Sequence, residues 1–193
     1  MTRAFTVVGA LALALISGCG RADEKVDTTP LPATAAPPYI CDHVPLRAAE
    51  QMTGLRSPLT KGSFDLASGD GYGNGWCGVY EAEGDRSKVL EVVLLSSGDP
   101  RRVQEELRHG AKRLPEIVPG GDGYYRATQF AEHTGAVAVL IRDKSMLVVN
   151  VDRGAKGRDH EADVVAMMKL VAPRLITDKS APAASASATD KGA

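Results

Sequence analysis

GAVAVLIRDKSMLVVNVD, residues 135–152, is the stretch that decides the fold. Its halves, Gly135–Arg142 and Ser145–Asp152, are rich in Val, Leu and Ile and are separated only by Asp143-Lys144. Two strand-forming runs joined by so short a polar connection can pair only antiparallel, as a hairpin. Val137, Val139 and Ile141 in one half and Leu147, Val149 and Val151 in the other leave few polar interruptions. A strand that is apolar at nearly every position has both faces partly covered, so the hairpin is expected in the middle of a sheet.

Working outward, Trp76–Ala82 and Lys88–Ser96 read as two more strands with Glu83-Gly84-Asp85-Arg86 turning between them. The Gly-rich turn Pro119–Gly123 leads into a strand near Tyr124–Phe130. Asp42 and Pro45 open a short helix running through Gln51 and Met52 to a stop at Gly54. Asp99 and Pro100 begin a second, with Val103, Leu107, Ala111 and Leu114 on one face and Pro115 ending it. Asp159 caps a last helix with Val164, Val165, Met168, Val171 and Leu175 inward, and residues 55–75 read as a long Gly/Ser-rich loop carrying Leu59, Phe64 and Leu66. The order is α-β-β-α-β-β-β-α. This predicts an α+β domain over residues 40–176, with an antiparallel sheet of about five strands and helices packed on one side.

The 193 residues are 44% hydrophobic and 24% charged, a globular balance that excludes wholesale disorder and a multi-span membrane protein. Lys plus Arg number 23 against 24 Asp plus Glu, and aromatics make up 5%. The missing basic excess and the scarcity of stacking side chains argue against nucleic-acid binding.

Residues 1–18 carry the layout of a secretory signal peptide: Arg3, then an uncharged run over residues 4–18 that is too short for a membrane span. The end of that run, Ile16-Ser17-Gly18-Cys19, resembles the bacterial lipobox, in which an aliphatic and two small residues precede the cysteine that takes a diacylglyceryl group. The plainer reading is an ordinary signal peptide with a chance cysteine. On the lipobox reading Cys19 is the lipidation site, and acyl chains worth about 0.8 kcal/mol per buried methylene hold the chain at the outer face of the cell membrane. The lipidated cysteine and a disordered tether then fill residues 19–39. Residues 20–38, GRADEKVDTTPLPATAAPP, lack apolar periodicity and span about 60 Å when stretched. Residues 177–193 are Ala/Ser-rich and read as a disordered tail.

With Cys19 modified, Cys41 and Cys77 remain, an even pair in an exported chain. A disulfide closing that span contributes roughly 4 kcal/mol in the loop-entropy account; the other reading is two buried free thiols. No metal site is expected, because His43 lies near Cys41 while His109, His133 and His160 show no paired ligand spacing. Neither a cofactor motif nor a nucleophile elbow, phosphate loop or zinc-protease motif occurs. Gly69-Asp70-Gly71-Tyr72-Gly73-Asn74-Gly75 lacks the phosphate-loop lysine and the calcium-loop carboxylates, and reads as a connector. Asp159, Glu161 and Asp163 gather at a helix start, where capping and dipole effects explain carboxylates. Tyr124-Tyr125 at a strand start are placed to line a pocket or a sheet edge. Arg101, Arg102, Arg108, Lys112 and Arg113 form either a face for anionic lipid headgroups or a solvated face with Glu105 and Glu106 in support.

The lipobox Cys19, the Thr/Pro/Ala linker, Cys41-Asp42 before a short helix ending Met52-Thr53-Gly54-Leu55, the Gly/Ser loop, the second cysteine beside Trp76, the apolar hairpin and the closing helix together resemble one group of proteins. These are the small secreted lipoproteins of actinobacteria that are grouped as a domain of unknown function. In that group an aromatic residue commonly follows the second cysteine, whereas here Trp76 precedes Cys77. The resemblance implies export, anchoring and a disulfide, and brings no catalytic residue. The expected activity is that of a non-enzymatic binding or accessory module for an envelope protein partner. A carrier or sensor of a small apolar ligand is the alternative, with Val137, Val149, Met168 and Val171 lining its cavity; a wall hydrolase ranks third.

Overall fold

The computed structural model of the chain describes residues 27–129 and 133–176. The signal segment 1–18, Cys19 and the tail 177–193 lie outside the described residues. The hairpin forms as the sequence predicts: β8, Thr134–Arg142, pairs with β9, Ser145–Val151, from Ala136↔Val151 down to Arg142↔Ser145. Asp143 makes the turn at φ 53°, a left-handed conformation that Asp tolerates.

Around this hairpin stand β3 (Leu59–Asp65), β4 (Asn74–Tyr80), β5 (Lys88–Leu95), β6 (Lys112–Arg113) and β7 (Asp122–Gln129). They make one seven-stranded antiparallel sheet in the order β3-β4-β5-β9-β8-β7-β6. A separate two-stranded ribbon, β1 (Tyr39–Ile40) with β2 (Val44–Pro45), precedes helix α1 (Leu46–Thr53). Helix α2 covers Arg101–Arg108 and α3 His160–Leu175. The class, α+β with an antiparallel sheet, is as expected; seven strands replace about five, and the element order gains β1, β2, β3 and β6.

Register sorts the side chains into two faces. Ala136, Ala138 and Leu140 stand opposite Val151, Val149 and Leu147, which stand opposite Leu90, Val92 and Leu94. With Cys77 and Val79 these make the main core, closed by α1 and by Val164, Met167, Met168, Val171 and Leu175 of α3. Each fully buried Leu, Met or Val there contributes roughly 1.5–3 kcal/mol over an exposed position. The alternate residues Val137, Val139, Ile141, Met146 and Val148 point the other way, where Val103 and Leu107 of α2 pack on them and on Tyr124. The expectation that the helices share one side therefore fails: α2 lies on the face opposite α1 and α3, because the hairpin is apolar at both parities and each face needs a cover.

Three local readings also change. Helix α2 stops at Arg108 and not at Leu114, since Gly110 takes φ 93°, and Lys112 and Arg113 pair with Tyr125 and Tyr124 of β7. The 55–75 loop contains the edge strand β3. Its side chains are almost all exposed, so it lacks the alternating apolar signature of a half-buried strand. The segment 27–38, expected to be part of a disordered tether, instead lies against the domain, with Leu31 only 8% exposed in the main core. The cysteine arithmetic resolves to a bond: Cys41 and Cys77 are joined with Cα atoms 5.8 Å apart, fastening the β1–β2 ribbon to β4 and removing the free-thiol reading.

Strand β3 depends on one glycine. Gly62 takes φ 115°, and a Cβ there would lie 2.0 Å from the Trp76 carbonyl oxygen of β4. Gly62→Ala is expected to detach β3. Hydrogen exchange should then show amides 59–65 losing protection while those of β8 and β9 keep it; unchanged protection in β3 would refute this.

Candidate functional site

The face that carries α2 is only half covered. The helix packs over Tyr124, Val139, Ile141 and Met146, at the β7–β8 side. Across the sheet, Trp76 pairs in register with Val93, Val93 with Val148 and Val148 with Val139, so one apolar row runs from under the helix out to β4. Beyond the helix this row lies open, ending on Trp76, which is 39% exposed. Gly75, Trp76, Tyr80, Glu91, Val93 and Leu95 line a shallow groove of about 400 Å³ there.

Local sequence builds the groove. Gly78 lies between two aromatic residues on the same strand face, and a Cβ on it would come within 2.9 Å of the Trp76 ring and 2.8 Å of the Tyr80 ring. The absent side chain lets both rings close over the strand. A register shift at Val79/Tyr80 accompanies this. The Lys61 ammonium stands 5.4 Å from the centre of the Tyr80 ring, and Lys88 neutralises Glu91 at 2.7 Å. What remains exposed is an aromatic-aliphatic surface whose one carboxylate, Glu91, is already paired. The signal was in the sequence: Trp76, Tyr80, Val93 and Leu95 alternate with Cys77, Val79, Val92 and Leu94, which makes β4 and β5 apolar at both parities although only one face is covered.

A second, polar cleft of about 580 Å³ opens at the other end of β5. The end of α1, the start of β5 and the loop after β9 form its walls, and Arg47, Arg56, Arg153 and Lys156 line it beside Asp27, Glu50 and Glu81. The carboxylates are engaged. Glu81 accepts from Arg153 at 2.9 Å and Glu50 from the Ser57 amide at 3.1 Å. Asp27 accepts from the Thr29 hydroxyl at 2.6 Å and amide at 3.0 Å, and from Gln51 Nε2 at 3.1 Å. The Thr29 hydroxyl foremost, then Gln51, holds the Asp27 carboxyl down at about 2.

Arg158 fixes this N-terminal strap. Its guanidinium is buried, forks onto Asp163 of α3 at 2.8 and 2.6 Å, and donates from Nη1 to the carbonyl oxygens of Asp27 and Thr29. A buried Arg–carboxylate pair is costly to break from one side, because the partner is then left charged and unpaired.

The residues singled out from sequence are not brought together into a reactive cluster. Asp159 caps α3 by accepting from the Ala162 amide, Glu161 meets Lys112 at 2.6 Å, and Asp163 holds Arg158. His160 sets its ring nitrogens 3.0 Å from the Thr134 carbonyl oxygen and 3.3 Å from that of Ala155. His43 packs edge-on to Phe64, and burial first, then Arg174, pushes its pKa down. His109 is exposed beyond the end of α2. Tyr124 and Tyr125 point to opposite faces of the sheet. The Gly69–Gly75 loop is pinned through Asn74, whose side chain accepts from the Ser96 amide and donates to Ser68, and through Ser145, which donates to the Tyr72 carbonyl. The basic residues 101–113 do not share one helix face: Arg101 pairs with Asp99, while Lys112 and Arg113 sit on β6 and pair with Glu161 and Asp122. Val149, Met168 and Val171 are packed in the main core, whereas Val137 belongs to the opposite face, so the four do not line one cavity. Among the described residues, no three His, Cys, Asp or Glu gather to hold a metal ion, and no helix is long and apolar enough to cross a membrane.

Compared with known proteins, the chain matches no family model, no curated protein and no solved structure.

The strap has a pH signature. A carboxyl depressed in the folded state stabilises docking above its unfolded value, near 3.8, and that contribution disappears as pH falls towards the folded value of about 2. Exchange protection at the Thr29 amide is expected to hold down to about pH 4 and to fade below it, with Asp27→Asn removing that dependence. Protection in the wild-type chain that fades near neutral pH instead would contradict this assignment.

Proposed function

We propose that the chain is an exported lipoprotein, anchored through Cys19 to the outer face of the cell membrane, whose α+β domain is a non-enzymatic binding module for an envelope protein partner. The observation that carries the reading is the half-covered sheet face. A contiguous apolar row ending on an exposed Trp76, with Tyr80, Val93 and Leu95 beside it, is the composition of a protein-interaction surface. The Cys41–Cys77 disulfide fits an oxidising compartment outside the cytoplasm, and Ile16-Ser17-Gly18-Cys19 supports the anchor. The likeness to the small actinobacterial lipoproteins supports the same reading.

Two experiments test it. In intact cells, a photo-crosslinking residue placed at Trp76 of the full chain is expected to give one discrete protein adduct, and the same residue at the exposed Gln104 of α2 none. Val93→Glu should weaken the adduct by about thirtyfold, the equivalent of 2 kcal/mol at an interface centre. No adduct from position 76, or the same adducts from both positions, contradicts the partner surface. For the anchor, Cys19→Ala should leave an uncleaved or shed form; a variant still membrane-bound at the normal processed mass contradicts lipidation.

A further inference from the structure

We infer that the polar cleft between α1 and the β9–α3 loop is the surface by which the domain docks on phospholipid headgroups, an inference that rests on the lipid anchor at Cys19. The N-terminal segment reaches the domain at this cleft. Asp27 lines the mouth of the cleft, held there by Thr29 and Gln51, while Arg158 grips its carbonyl oxygen and that of Thr29. Eight residue steps separate Cys19 from Asp27. Fully extended, they reach no more than about 28 Å. With Cys19 anchored, the rim of the cleft at Asp27 is thus held within about 28 Å of the membrane surface. Had the whole of residues 20–38 been free, the exit point would have been at Tyr39, and two and a half times the reach would have imposed no such constraint.

The rim also has the chemistry for such a contact. The three carboxylates in the cleft are taken up by Arg153, by the Ser57 amide and by the strap itself. Arg47 and Lys156 are both exposed, and among the described residues neither pairs with a carboxylate. Two cations that have no carboxylate partner among the described residues, beside the point where the strap begins, are placed to meet headgroup phosphates. The adjoining β4–β5 turn carries Glu83, Asp85 and Arg86, so cleft and turn together are close to neutral, and the contact proposed is local to Arg47 and Lys156. The basic residues at 101–113 are placed otherwise: Arg101, Arg102 and Arg108 belong to α2, on the far face of the sheet, Lys112 and Arg113 belong to the edge strand β6, and Arg101, Lys112 and Arg113 are held in ion pairs.

The two ends of the sheet supply an internal control. Lys144, in the β8–β9 turn, is separated from Lys156 by the length of β9, whose seven residues span about 23 Å. The lipidated full chain is reconstituted in vesicles of phosphatidylcholine and phosphatidylglycerol doped with a lipid bearing an amine-reactive headgroup, and labelling is normalised to the same reagent in soluble form. Lys156 is expected to be labelled at least about fivefold more than Lys144, the factor that one cation contributes at an anionic surface. Arg47→Glu should bring the ratio back towards one. Equal labelling of the two lysines in a chain that floats with the vesicles overturns the docking surface and leaves the anchor standing. A chain that fails to float overturns both. A ratio abolished by inorganic phosphate at constant ionic strength assigns the cleft to a free anion and overturns the membrane contact.

Discussion

Antiparallel pairing joins β8 to β9 along the whole length of β9 and sets an apolar ribbon in the middle of the sheet. Both strands are apolar at nearly every position, so neither face of the hairpin can be left to water, and two separate covers follow. Helix α3 supplies one, over Ala136, Ala138, Val149 and their neighbours; α2 supplies the other, over Val139, Ile141 and Met146. The second cover is only eight residues long. At about 1.5 Å per residue it extends some 12 Å, while each strand adds close to 4.8 Å to the width of the sheet. A helix of that length cannot reach across seven strands. The exposed row at β4 and β5 is thus a consequence of where α2 ends, and Gly110 at φ 93° is part of what ends it.

Much of this was legible in the sequence because the responsible signals are local. The hairpin, the Asp159 cap of α3, the Gly54 stop of α1 and the pairing of Cys41 with Cys77 all rest on short-range chemistry or on counting. What escaped rests on tertiary contact. Strand β3 shows no alternation, as an edge strand exposed on both sides has none to show, and Gly62 reads as a loop residue until its carbonyl neighbour on β4 is known. The docked strap escaped for the same reason: a Pro/Thr/Ala segment looks like a linker, and only the buried Arg158 fork reveals that its first residues are gripped. The apolar row was half legible, because β4 and β5 are apolar at both parities, but that Trp76 stays uncovered depends on the length of a helix placed elsewhere.

The two surfaces divide the molecule. The cleft lies where the N-terminal segment leaves the domain and carries cations with engaged carboxylates, whereas the apolar groove lies on a sheet face and carries aromatic rings. A domain held at the first through a short tether would present the second sideways to the membrane, open to another envelope protein. Both rest on the same frame. The Cys41–Cys77 bond fastens the ribbon before α1, and with it one wall of the cleft, to β4, the strand that bears Trp76. The ordering of either surface is therefore tied to that of the other through a covalent link that reinforces the packing of a small domain.

On the proposed function, the uncovered half of the sheet face is occupied by protein. Native mass spectrometry of the mature chain, released gently from its own envelope, tests it most directly. The account predicts a protein-sized mass increment that Val93→Glu removes while the Cys41–Cys77 bond stays intact. An increment of small-molecule size that persists in Val93→Glu and is lost only on unfolding would contradict it, and would make the domain a carrier.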